Sequence, residues 1–88
     1  MRYVRRHYPA RFKRLADGTY LVTFRDVPEA ITEGKPLSVA LAMAADVLGL
    51  SLQIRIETGA DLPRRTLPRK DERPIAVVLF LIAKVAGR

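Results

Sequence analysis

A chain of 88 residues has room for one small domain, because single domains most often contain about 100 to 150 residues. Its composition, with 49% hydrophobic and 28% charged residues, is that of a folded protein rather than a disordered one. The formal net charge is +7, and the sequence contains no cysteine. Large catalytic folds, disulfides, thiolate metal sites and cysteine nucleophiles are therefore excluded for these 88 residues.

Three short strands are predicted in the first part of the chain. Residues 8–14 and 20–24 alternate between apolar and polar side chains, as strands with one buried face do. The pair Asp17 and Gly18 between them is a strong signal for a hairpin turn. A proline ends the second strand, and residues 30–33 form a short third one. We expect these strands to pair as an antiparallel meander.

An amphipathic helix is predicted from Pro36 to near Thr58, with Gly59 as its C-cap. Gly49 inside it costs about 1 kcal/mol relative to alanine. Apolar residues recur at steps of three or four, which predicts one buried stripe. The members of this stripe are Leu37, Leu41, Ala44, Leu48 and Leu52.

The connection after the helix and the last strand differ sharply in composition. Residues 60–74 contain three prolines and eight charged residues, which predicts an extended linker. Residues 75–81 form an unbroken apolar run, which predicts a strand buried on both faces, by the helix on one side and by something else on the other. We therefore expect a homodimer or higher oligomer, with Val77, Leu79 and Leu81 in the interface.

The positive charge is concentrated at the two ends of the chain. Residues 1–14 carry six basic side chains and no acidic one, and residues 64–88 carry seven basic and two acidic ones. Residues 15–63 carry three basic and seven acidic side chains, a net charge of −4. The overall charge favours a nucleic acid or an anionic membrane as partner, whereas the acidic middle favours a basic partner.

Neither export nor membrane insertion is expected. Residues 8–14 hold three cations where a signal peptide needs an apolar segment. The longest apolar run, residues 75–83, has nine residues, and about 20 are needed to span a bilayer. Together with the lack of cysteine, these features predict a cytoplasmic protein with no membrane contact.

No catalytic, metal or cofactor site is predicted. His7 is the only histidine, so a serine triad or a histidine metal site would lack its other members. Asp17, Asp26 and Glu29 fall at predicted turns, where carboxylates commonly hydrogen-bond their own backbone. The sequence also has no G-x-x-x-x-G-K-[ST] cradle for phosphates.

Residues 1–7 are interpreted as a basic N-terminal arm. The arginines of the N-terminal region are interleaved with Tyr3, His7 and Tyr8, a composition that suits phosphates and stacked bases. A small basic nucleic-acid-binding module that uses the cationic termini is therefore the alternative function. Such binding would be weak and independent of base sequence.

Four segments follow one another in a long, ordered pattern. They are YPA at 8–10, DGTYLVTF at 17–24, DVPEAITEG at 26–34 and ALAMAADVL at 40–48. They resemble the HicB antitoxin family, whose pattern is roughly Y-P, then D-G-x-Y-x-V-x-F-P-D-x-P-x-x-x-T-x-G, then A-L-x-x-A. The resemblance continues to residue 86. Arg25 departs from it where the family usually has proline, and Pro36 replaces the usual Ser or Thr cap.

The resemblance implies a single α+β domain over residues 1–88, with a β-β-β-α-β partial RNase H-like fold. It implies a non-enzymatic antitoxin of a type II toxin–antitoxin pair, which binds a small basic HicA-like ribonuclease and blocks its cleavage of messenger RNA. We expect the toxin to contact residues in the most family-like part of the chain. These residues are Asp17, Tyr20, Phe24, Asp26, Pro28 and Glu29.

Two activities of related folds are not expected here. An RNase H-type nuclease needs several inward-facing carboxylates for two metals, and this chain offers only Asp17 and Asp46. In many relatives a DNA-binding segment follows the position of Ala86, and only Gly87 and Arg88 follow it here. We therefore expect toxin neutralisation without recognition of operator DNA.

Overall fold

The computed structural model describes residues 2–81, and the side chains of residues 2–80. The elements occur in the order β1 (Arg2–Arg14), β2 (Tyr20–Phe24), β3 (Ile31–Gly34), α1 (Leu37–Thr58) and β4 (Glu72–Leu81). The strands form one antiparallel sheet in the order β3-β2-β1-β4. The helix α1 packs on one face of it. The predicted α+β class and the β-β-β-α-β order are confirmed.

The hydrophobic core lies between α1 and the sheet. Every fourth residue of α1 is buried there, at Ala40, Ala44, Leu48 and Leu52. Alternate side chains of each long strand meet this stripe, because successive side chains in a strand point to opposite faces. The buried side chains of β1, β2 and β4 are Tyr8, Ala10, Val22, Phe24, Ile75, Val77 and Leu79.

β1 is longer than predicted, because it also includes residues 2–7 of the expected N-terminal arm. Residues 2–9 lie beyond the end of β2 and pair with β4 alone, with Arg2 opposite Leu81 and Tyr8 opposite Ile75. Residues 2–7 of the basic N-terminal arm therefore belong to β1. The partner strand is about 70 residues away in the sequence, so no local pattern indicates this pairing.

β4 is an edge strand that buries only one face in the single chain. Val77 and Leu79 face α1 in the core, whereas Val78 and Phe80 are exposed on the other face. The prediction that both faces are covered is not met here, and Val77 and Leu79 do not lie on an open surface. The side chain of Leu81 lies outside the described residues. The homodimer stays a prediction.

The helix α1 begins and ends close to the predicted positions. Pro36 is its N-cap and makes no side-chain capping hydrogen bond, as expected from the missing Ser or Thr. Gly59 is its C-cap in the left-handed region with φ of 80°, and its backbone N–H donates to Ile56 O at 3.2 Å. The predicted C-cap is confirmed.

The outward side of α1 is also apolar, so the helix is less amphipathic than predicted. By length and composition alone α1 is apolar enough to cross a membrane, a property that it shares with the core helices of many soluble proteins. One stripe of it covers the sheet. On the other side four apolar residues are exposed, and we call them the outer stripe. They are Val39, Met43, Leu50 and Ile54.

Gly49 is expected to lower the stability of α1, and alanine should fit in its place. A Cβ built there would lie 4.0 Å from Val77 Cγ1, which is an ordinary contact. Gly49→Ala should therefore raise the free energy of unfolding by about 0.5 to 1 kcal/mol. Gly34→Ala is the matched control, because its Cβ would lie 3.1 Å from Ala40 Cα and force the backbone to move. Urea unfolding followed by circular dichroism should show opposite signs, and stabilisation by both changes would contradict this packing.

Candidate binding surfaces

The six predicted toxin-binding residues lie at the two ends of β2. Asp17 lies in the turn before β2, and Tyr20 is the first residue of β2. Asp26 and Glu29 follow the last residue of the strand. The length of β2 separates the two groups by roughly 15 Å. Phe24 is only 2% exposed and belongs to the core, so it supports the site rather than touching a partner.

The turn that contains Asp17 is held by its own hydrogen bonds. The Asp17 carboxylate accepts the backbone N–H of Thr19 at 2.9 Å, and these contacts with Thr19 lower the pKa of Asp17. The Lys35 ammonium donates to the carbonyl of Asp17 at 3.3 Å. Because Lys35 comes directly before Pro36, the N-cap of α1, this turn lies near the N-terminal end of the helix. Asp17 thus has the structural role expected of a turn aspartate.

Residues 26–29, which we call the acidic corner, make hydrogen bonds to other parts of the chain. Asp26 Oδ2 accepts the N–H of Thr66 at 2.9 Å and its hydroxyl at 3.0 Å. Glu29 accepts two hydrogen bonds from the Arg55 guanidinium, and the one from Nη2 to Oε1 measures 2.8 Å. The guanidinium lowers the pKa of Glu29. Both carboxylates therefore have internal partners, and Pro28 between them is exposed.

Arg25 clamps the connection onto the acidic corner, a role that sequence reasoning missed. Its guanidinium donates to Glu72 with Nη2–Oε1 at 2.6 Å and Nε–Oε2 at 3.2 Å. It also donates to Leu67 O at 3.1 Å and to the Thr66 hydroxyl. The only signal in the sequence is that Arg25 replaces the usual proline beside a highly charged connection. The clamp fixes the path of the chain from α1 to β4.

The clamp makes stability depend on acid pH. The hydrogen bonds from Arg25 lower the pKa of Glu72 below its unfolded value of about 4.3. A lowered folded pKa stabilises the protein above the unfolded pKa, and this stabilisation is lost as pH falls through the folded pKa. We expect the free energy of unfolding to fall below about pH 5 and to do so less steeply in Glu72→Gln. Urea titrations from pH 7 to 3 measure this.

The control for the acid titration is Glu57→Gln. Glu57 is exposed on α1 and makes no ion pair among residues 2–81. Its variant should follow the wild-type curve throughout. If Glu57→Gln and Glu72→Gln gave the same pH dependence, the clamp would not be the source of the acid sensitivity.

The open face of the sheet, opposite α1, is cationic and partly aromatic. Arg5 and Lys13 of β1 lie on it, since the alternate residues of β1 face the core. Tyr3 is 66% exposed there and is paired with Phe80, which is 48% exposed. Tyr8, which was expected to contribute to an aromatic arm, is buried instead, and its hydroxyl donates to Pro63 O at 2.8 Å. Burial raises the pKa of Tyr8.

A metal centre has no support in the part of the chain that the structure describes. No three His, Asp or Glu side chains come together among residues 2–81. Asp17 lies in the first turn, and Asp46 is exposed on α1. The two carboxylates considered for a nuclease site thus lie on different elements.

Comparison with known proteins matches most of the chain to one family. A family described as "HicB_like antitoxin of bacterial toxin-antitoxin system" matches residues 7–86. The antitoxin HicB of Escherichia coli K12 is 30% identical over 89% of this chain and 56% of its own length. Antitoxin HicB 2 of Photorhabdus laumondii is 36% identical over 89% of this chain and 54% of its own length. The chain thus spans about half the length of the curated relatives that it matches.

Two solved structures share the fold. The N-terminal domain of Burkholderia pseudomallei antitoxin HicB has a TM-score of 0.60 at 21% identity, over 65% of this chain and 67% of that one. A chain of a toxin–antitoxin complex from Streptococcus pneumoniae has a TM-score of 0.69 at 24% identity, over 97% of this chain and 82% of that one. The predicted partial RNase H-like fold is confirmed. Because the family pattern covers nearly all of the described strands and the helix, the chain belongs to the HicB-like antitoxin family.

Proposed function

We propose that this chain is a cytoplasmic, non-enzymatic antitoxin that binds a small basic HicA-like toxin and masks the surface with which that toxin cleaves messenger RNA. Family membership supports the antitoxin role. The solved neighbour that comes from a toxin–antitoxin complex supports a toxin as partner. The remaining question is which surface of the chain makes the contact.

The observation that carries the proposal is the outer stripe of α1. Exposed apolar residues arranged in one stripe are typical of a protein interface. Asp46 and Glu57 are exposed on the same helix. Arg55 is the only basic residue of α1, and its guanidinium is paired with Glu29. This side of α1 therefore suits a partner with an apolar patch surrounded by positive charge.

The two acidic turns lie near the two ends of α1. Asp17 is linked to Lys35, close to the start of the helix, and Glu29 is linked to Arg55 in its last turn. We propose that the toxin lies along the outer stripe and reaches Asp17 at one end and the acidic corner at the other. Of the predicted contacts, Asp17, Pro28 and Glu29 are the exposed ones.

The charge distribution supports the helix side over the sheet side. Residues 15–63, with a net charge of −4, form β2, β3 and α1. Residues 2–14, with six basic side chains and no acidic one, form β1, which pairs with β4 at the other end of the strand order. Opposite charges speed association of a basic toxin with the helix side, whereas like charges oppose its docking on β1 and β4.

Calorimetric titration with a HicA-like toxin, to be sought as a short basic protein in the neighbouring reading frame, tests the proposal. We expect a dissociation constant below about 100 nM that weakens less than tenfold between 100 and 300 mM NaCl, because apolar contacts of the outer stripe dominate. An interaction through the cationic termini would instead weaken steeply with salt. No heat of binding at 10 µM of each protein would contradict the proposed function.

A further inference from the structure

We propose that the open face of the sheet, where β1 pairs with β4, is a binding site for single-stranded nucleic acid. This goes beyond the proposed function and uses the side of the sheet opposite α1. The topology creates the site, because the basic strand β1 becomes the neighbour of the apolar strand β4 from the other end of the sequence. The site consists of Tyr3, Arg5, His7, Val78 and Phe80.

The charge of this half of the sheet calls for an anionic partner. β1 carries six basic and no acidic side chains, and β4 carries one basic and one acidic side chain, so the two strands together hold a net charge of +6. Arg5 makes no ion pair within residues 2–81. Arg11 pairs with Asp71 at 3.3 Å, but both side chains are more than half exposed, and such pairs are weak.

The exposed rings favour bases rather than an acidic protein. Tyr3 and Phe80 are directly opposite each other on neighbouring strands. Aromatic side chains on the face of a four-stranded antiparallel sheet stack unpaired bases, and nearby cations bind the phosphates. A shallow cavity of about 220 Å³ lies next to them, lined in part by Arg5, His7 and Val78. Rings, cations and cavity together fit an unstacked base with its phosphate.

A second copy of the chain is the less favourable occupant. It would bring another half-sheet with a net charge of +6 against the first one. Like charges placed opposite each other oppose association. The two apolar rings and Val78 also leave little area for a stable dimer, since specific interfaces bury about 800 Å² on each partner.

Fluorescence anisotropy of the chain alone tests this site. The probes are labelled 12-nucleotide oligo(U) RNA, oligo(dT) DNA and a 12-base-pair DNA duplex, in 50 mM NaCl. We expect micromolar binding to both single strands and at least threefold weaker binding to the duplex, whose bases are already stacked. Comparison of the RNA and DNA arms shows whether the sugar matters.

Variants separate the stacking platform from general charge. Tyr3→Ala should weaken binding by about five- to tenfold, because one stacked base is lost. Arg5→Glu should weaken it by tenfold or more, whereas Lys35→Glu changes the net charge equally on another surface and should weaken it less than threefold. Tyr3 and Lys35 are exposed, so circular dichroism should show an intact fold for these variants.

Several results would overturn the inference. One is equal weakening by Arg5→Glu and Lys35→Glu, and another is unchanged binding in Tyr3→Ala. Displacement of the RNA by polyglutamate at equal charge would assign the face to acidic proteins. A self-association that disappears in Tyr3→Ala would assign it to a second copy. Because no toxin is present, these outcomes are independent of the proposed antitoxin function.

Discussion

Leu50→Lys is expected to weaken toxin binding by at least 100-fold while leaving the domain folded. Leu50 is 63% exposed at the centre of the outer stripe, so the core does not depend on its side chain. The change places an ammonium in a contact that we propose to be apolar and to face a basic toxin. The substitution removes the apolar contact of the leucine and adds repulsion between the lysine and the basic toxin. A 100-fold loss of toxin affinity corresponds to about 2.7 kcal/mol.

The matched control is Leu67→Lys, measured by calorimetric titration against the same toxin. Leu67 is an 86% exposed leucine in the connection before β4 and does not belong to the outer stripe; its backbone carbonyl, not its side chain, accepts the hydrogen bond from Arg25. The substitution is chemically identical, and we expect toxin binding to change less than threefold. Equal losses in the two variants would show that added charge alone weakens the complex. An unchanged affinity in Leu50→Lys would place the toxin on another surface.

Leu48→Ala is expected to destabilise the domain by about 3 to 4 kcal/mol, the largest effect on folding that we predict. Leu48 is fully buried in the stripe of α1 that covers the sheet. Removing its side chain leaves a cavity that the surrounding side chains fill only in part. A domain of this size has a total stability of about 5 to 10 kcal/mol, so the variant should lose a large fraction of it and melt at a clearly lower temperature.

Leu50→Ala, two residues away on the same helix, provides the comparison. Because Leu50 is exposed, its truncation should change the free energy of unfolding by less than about 0.5 kcal/mol. Urea unfolding followed by circular dichroism at 25 °C measures both variants. If Leu50→Ala were as destabilising as Leu48→Ala, the outward side of α1 would be buried in solution. The assignment of its two sides would then be wrong.

The parts of the fold that depend on local pattern could be predicted from the sequence. The hairpin turn at Gly18, the helix and its Gly59 C-cap each depend on residues within a few positions of one another. The pairing of β1 with β4 depends on residues at opposite ends of the chain, so local pattern does not indicate that residues 2–7 belong to a strand. The exposed Val78 and Phe80 were expected to be covered because an apolar run gives no information about which face lies at a surface.

The candidate sites could likewise be predicted only where they depend on the local sequence. The charge segregation is visible in the sequence, and the topology turns it into a basic half-sheet and an acidic helix side. The internal partners of Asp26 and Glu29 are not visible, because Thr66 and Arg55 are 40 and 26 residues away. Arg25 likewise binds Glu72 across 47 residues. Such contacts become evident only once the three-dimensional path of the connection is known.

The most direct test of the account is titration of the toxin's RNA cleavage with this 88-residue chain. At 1 µM of the HicA-like toxin and about 150 mM salt, cleavage of a labelled RNA should fall linearly and stop near a fixed small ratio of chain to toxin. The Leu67→Lys variant should behave in the same way, and Leu50→Lys should inhibit only at a large excess. Cleavage that continues unchanged at a tenfold excess of the wild-type chain would contradict the claim that this domain masks a toxin.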